Sequence, residues 1–106
     1  MPKYLLEVNY TLDGVRGLVA KGGSARKKAA TEAAKSVGGK LESFYFAFGG
    51  TDAYATVHLP DNAPAAALAL AVTAGGGLSA NTVVLLTPEE IDAATSKRVK
   101  YTPPGG

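Results

Sequence analysis

Apolar and polar positions alternate in Lys3–Tyr10, KYLLEVNY, with Leu6 and Val8 on one face and Leu5, Glu7 and Asn9 on the other. A period of two marks a β-strand. The alternation returns in Ser43–Leu59, SFYFAFGGTDAYATVHL, which predicts two strands, residues 40–48 and 53–59, joined by a tight turn at Gly49-Gly50-Thr51-Asp52. Between the first strand and this hairpin the period changes. Thr11 or Asp13 caps a short helical piece carrying Val15, Leu18 and Val19, ended by Gly22-Gly23. Ser24 caps a longer helix, residues 25–37, whose inner stripe is Ala25, Ala29, Ala33 and Val37, with Ala30 and Ala34 beside it. Arg26, Lys27, Lys28, Glu32 and Lys35 then face outward, with Lys28 and Glu32 spaced as an i,i+4 pair, and Gly38-Gly39 closes the helix. An alanine stripe predicts a helix lying close to its neighbour.

After the hairpin, Pro60 stops the strand and Asp61 caps a helix over residues 62–74, with Leu68, Ala71 and Val72 as its apolar stripe and Gly75-Gly76-Gly77 at its end. Thr82–Leu86, TVVLL, is apolar without alternation, which predicts a strand buried on both faces. Thr87-Pro88-Glu89-Glu90 matches a capping box with proline at the first helical position and starts a short helix to about Ser96. The order β-α-β-β-α-β plus a last helix is an α+β, ferredoxin-like sandwich with an extra C-terminal helix. Both main helices should cover one face of an antiparallel sheet. That face should carry Leu6, Val8, Phe44, Phe46, Ala55, Val57 and Leu59. The other should carry Leu5, Glu7, Asn9, Ser43, Tyr45, Ala47, Tyr54, Thr56 and His58. A half-apolar open face is a surface for a second copy, and two such sheets face to face make a dimeric α/β barrel.

Composition narrows this picture. The 106 residues fit one domain, residues 1–96, followed by a basic Pro/Gly-rich tail, residues 97–106. Apolar residues make up 46% of the chain, which excludes a disordered class, but many are alanines with little to bury. That shortage of side-chain volume points to further burial between subunits. Eleven Lys and Arg against nine Asp and Glu leave a net charge of +2, too little to imply a nucleic-acid partner. There is no cysteine, so disulfides and thiolate chemistry are excluded. The N-terminal residues lack signal-peptide architecture, and the longest apolar run, residues 65–74, is far short of the roughly 20 residues a bilayer span needs. A soluble cytoplasmic protein without a membrane partner is the expectation.

Residues 38–49, GGKLESFYFAFG, then Asp52, Pro60-Asp61 and Leu86-Thr87-Pro88-Glu89-Glu90, resemble the GYD-domain family over nearly the whole chain. The family is named for a Gly-Tyr-Asp turn, and the corresponding triplet here is Gly50-Thr51-Asp52, with threonine in place of the naming tyrosine. The family has no settled function. The resemblance implies kinship with dimeric α/β-barrel proteins, among them cofactor-free monooxygenases, isomerases and haem enzymes. Fold alone does not carry their activities over.

Candidate chemistry is sparse. His58 is the one side chain whose unperturbed titration lies near neutrality, and Glu7 is expected diagonally across from it on the first strand. A Glu7–His58 pair with Tyr45 or Tyr54 would move protons in a barrel interior. The competing reading is a histidine hydrogen-bonded within an interface. Asn9, Thr56 and Asp52 are candidate ligand contacts, although Asp52 is more simply a residue that tightens its turn. One histidine and no cysteine leave no metal site, and no cofactor is expected. Tyr4, Tyr10, Tyr45 and Tyr54 offer rings for a planar ligand or a base, but the glycine-and-aromatic motif of RNA-binding sheets is absent. The sequence thus predicts a homo-oligomeric module that binds a small organic ligand or a partner. Its alternative is a cofactor-independent enzyme, monooxygenase- or isomerase-like, acting on a planar organic substrate in the barrel cavity.

Overall fold

The computed structural model describes all residues, Met1–Gly106. Its elements are β1 (Lys3–Tyr10), α1 (Leu12–Lys21), α2 (Gly23–Ser36), β2 (Lys40–Phe46), β3 (Ala53–His58), α3 (Asn62–Ala74), β4 (Leu78–Leu85) and α4 (Pro88–Thr95). The strands form one antiparallel sheet in the order β2-β3-β1-β4. This is an α+β fold consistent with a ferredoxin-like arrangement. Local chemistry sets most boundaries as expected. The Thr11 hydroxyl accepts from the Gly14 amide to start α1, and Asp61 caps α3. Thr87 and Glu90 form a complete capping box on α4. Gly38 turns the chain after α2 at φ +81°, a conformation that favours glycine. Gly14 has a different reason to be glycine: a Cβ there would stand 1.8 Å from the Gly77 carbonyl oxygen, where α1 crosses the start of β4.

The predicted division of faces holds for the strand residues, whereas Ala47, expected on the open face, lies in the loop after β2 and faces the helix side. Ala53, Ala55, Val57 and Leu59 are buried under the helices with Val8 and Tyr4, and Ala34, Ala65 and Leu68 meet them from α2 and α3. The Tyr4 hydroxyl donates to Asn62 Oδ1 at 2.7 Å, so this ring belongs to the core and offers nothing to a ligand. Tyr10 also points to the helix side, which leaves only Tyr45 and Tyr54 of the four proposed stacking rings on the open face.

Several expectations need correction. The β4 strand begins at Leu78 and is an edge strand with Thr82, Val83 and Val84 exposed, so its apolar run is not buried on both faces. The α2 helix starts at Gly23 with Gly22 as its N-cap and no side-chain cap, so Ser24 does not cap it. The structure's ion pairs, Lys3–Glu42 and His58–Glu42, do not include Lys28–Glu32. The connection after β2 is a loop of residues 47–52, closed by the Ala47 amide on the Asp52 carbonyl, rather than a four-residue tight turn. The alanine stripe of α2 does not bring close packing. Its small side chains leave a cavity of about 630 Å³ between the helices and the sheet. Only nine residues of 106 are buried.

Candidate functional site

The open face of the sheet is built in three rows by strand register. Lys40, His58, Lys3 and Leu85 form the first row; Ser43, Thr56, Leu5 and Val83 the second; Tyr45, Tyr54, Glu7 and Asn81 the third. Asn9 lies beyond them, opposite Ser79. This ordering separates the residues that were expected together. His58 faces Lys3 and Glu7 faces Tyr54, four strand positions apart, a separation of roughly 13 Å at strand spacing. The Glu7–His58 pair is therefore not formed.

The carboxylate that does reach His58 is Glu42. Between Leu41 and Ser43 the β2–β3 register slips by one residue, a β-bulge that places Glu42 and Ser43 opposite the single residue Thr56. Glu42 Oε2 accepts from Lys3 Nζ at 3.0 Å and lies 2.5 Å from His58 Nε2. Thr56 Oγ1 donates to Glu42 Oε1 at 3.4 Å and shares a 2.6 Å hydrogen bond with Ser43 Oγ. Lys3, and after it His58, hold the Glu42 carboxyl below the ordinary glutamate range, because both hydrogen-bond its charged form. A carboxylate on one ring nitrogen fixes the orientation of an imidazole, so the group can present His58 to whatever covers the face.

Glu42 was not among the sequence candidates, yet its signal is visible. Leu41 and Phe44 are three positions apart, where an unbroken alternation allows two or four. Two polar residues between two same-face apolar ones is the signature of a bulge.

Of the other candidates, Tyr45 and Tyr54 stand opposite one another, 71% and 39% exposed. Asp52 binds backbone beyond its own loop. Its carboxylate accepts the Tyr10 amide at 2.9 Å, and its own amide donates to the Val8 carbonyl at 2.9 Å. It therefore fastens the 47–52 loop to β1, a different task from tightening a turn. No three His, Asp or Glu side chains converge to hold a metal ion.

A single four-stranded antiparallel sheet, covered by helices on one side and carrying a polar bulge cluster on the other, defines the class: a small α+β protein, consistent with the ferredoxin-like type. A family model described as GYD domain matches residues 4–95, and the chain belongs to that family. The match spans every strand and ends with α4. No curated protein and no solved structure matches the chain. The family assignment brings no activity with it. The Gly50-Thr51-Asp52 triplet retains the aspartate, whose carboxylate here makes a backbone contact.

Proposed function

We propose that the protein is a homo-oligomeric module that pairs through its open sheet face, dimeric-barrel fashion, and binds a small organic ligand instead of turning over a substrate. What supports the pairing is the composition of that face. Leu5, Tyr45, Tyr54, Val83 and Leu85 make it half apolar, and no element of the chain covers it. Nine buried residues are few for a chain of this length, and a second sheet laid on this face would supply the missing burial. The Lys3–Glu42–His58 cluster would then lie at the margin of the interface and fix its register.

Sedimentation at micromolar concentration tests the pairing. The full chain should run as a dimer or larger, and Tyr45→Glu with Tyr54→Glu should shift it to monomer while the circular dichroism of the fold persists. A wild-type chain that sediments as a monomer overturns the proposal. The enzyme alternative required Glu7 and His58 to share a cavity. Both lie on the open face, in different rows, so the cavity it needs would have to be formed between two facing sheets.

A further inference from the structure

The helix side of the sheet holds a cleft that the open face does not share. Its floor is Leu6, Val8 and Phe44, and its walls are the alanines of α2 on one side and Leu68 and Val72 of α3 on the other. At about 630 Å³ it lies within the range of small-molecule pockets, about 300–1,000 Å³. Core packing ordinarily closes such space, and each unfilled methyl-sized gap costs roughly 1 kcal/mol. Here the lining of alanine and glycine on α1 and α2 keeps it open.

Polar groups gather at one end. Tyr10 ends β1, Lys21 ends α1, and Arg26 sits in the first turn of α2; all three contribute to the wall. The wall contains no Asp or Glu. Two of its polar atoms, Tyr10 Oη and Arg26 Nε, are buried without any hydrogen-bond partner in the protein. Native proteins rarely leave such groups unpaired, because each unpaired group costs about 1–3 kcal/mol. Arg26 Nε–H is a donor, Tyr10 O–H can donate, and the two charged side chains of the wall, Lys21 and Arg26, are positive, while the neighbouring Asp52 carboxylate, outside the wall, accepts the Tyr10 amide. The complementary group is an anionic acceptor. Arg26, expected on the outer face of its helix, instead turns into the cleft.

We infer that this cleft binds an amphiphilic organic anion, with a compact apolar body on the Leu6–Val8–Phe44 floor and a carboxylate or sulfonate at the Tyr10–Lys21–Arg26 end. The inference deepens the ligand half of the proposed function and leaves the pairing half untouched. The cleft lies on the opposite side of the sheet from the pairing face, and sedimentation reports pairing while fluorescence reports occupancy.

The probe is 8-anilinonaphthalene-1-sulfonate, titrated into the full chain under conditions where urea unfolding is cooperative, with decanoate and decanol as competitors. Binding should saturate at one probe per chain, and decanoate should displace it at lower concentration than decanol. Arg26→Gln should weaken decanoate roughly tenfold or more, as expected for a lost charge-assisted hydrogen bond, and leave decanol within about twofold. Ala33→Phe should abolish both by filling the cleft. Lys21→Gln changes an exposed residue, so it tests the charge term without risk to the fold, and it should weaken decanoate alone. Unsaturable fluorescence overturns the inference. So does saturable binding that treats decanoate and decanol alike, or that neither charge variant changes.

Discussion

Glu42 shows how one residue can carry a site that its neighbours only frame. It is exposed, yet it gathers Lys3, His58 and Thr56 from two adjoining strands. Its carboxyl is held below the ordinary value chiefly by the Lys3 hydrogen bond, then by His58. A carboxylate with a depressed folded-state pKa stabilises the fold above its unfolded pKa, and that contribution is lost as pH falls through the folded value. The protein should therefore lose stability toward acid, and Glu42→Gln should flatten that limb by lowering stability at neutral pH while leaving the acid end close to that of the wild type. Urea unfolding followed from about pH 3 to pH 7 measures it. An unchanged acid limb in the variant would show that Lys3 and His58 do not lower the Glu42 carboxyl in solution. The pairing of Glu42 with His58 was not legible from alternation alone, because a unit slip in register exchanges faces. Glu7 is excluded by the β1–β3 register, which sets Lys3 opposite His58, and that register is not written in the alternation. The identity of His58 was legible; its partner depended on a bulge.

At the scale of elements, the 47–52 loop is more than a connection between β2 and β3. Asp52 ties it to β1 by a carboxylate bond to the Tyr10 amide and a backbone bond to Val8, so β1, β2 and β3 are joined at their common end. Asp52→Ala should cost about 1.5–2 kcal/mol, the lower part of the range for a hydrogen bond to a charged group, because the site is partly exposed. Asp52→Asn retains an acceptor and should recover most of that loss. The urea midpoint gives the magnitude, and hydrogen exchange at the Tyr10 amide, faster in the alanine variant, gives the location. Equal exchange in both chains would remove Asp52 from this role. Most elements were legible because their signals are local: Thr11, Asp61 and Thr87 cap helices through atoms a few positions away. The strand faces were legible for the same reason. The edge position of β4 and the open cleft were not, since both depend on which elements fail to meet. An alanine stripe permits close approach but supplies too little volume to require it, and on α2 it borders a cavity.

At the scale of the molecule, the chain is longer than its core accounts for. Its radius of gyration is 16.8 Å, against about 13 Å for a compact domain of 100 residues. The excess lies at the C-terminus. The α4 helix has no buried residue and packs closely against none of the other elements, and Leu86, Ile91, Val99 and Tyr101 around it are exposed. A helix of eight residues is marginal in water by itself, even with the complete capping box that α4 carries. The proposed assembly would give its apolar residues a neighbouring subunit to bury against. A chain ending at Leu86 should therefore keep its circular dichroism apart from the lost helix, and its urea midpoint under monomeric conditions. Its association should weaken, read as a lower sedimentation coefficient at equal concentration. The sheet-face variants and the truncation separate two contributions. If Tyr45→Glu alone yields monomer and the truncated chain remains a dimer, the sheet face makes the primary pair and α4 joins pairs into larger assemblies. If the truncation alone yields monomer, the arm is itself the clasp of the primary pair. If truncation leaves both mass and affinity unchanged, α4 has no part in assembly, and burial of the open sheet must satisfy the small core by itself.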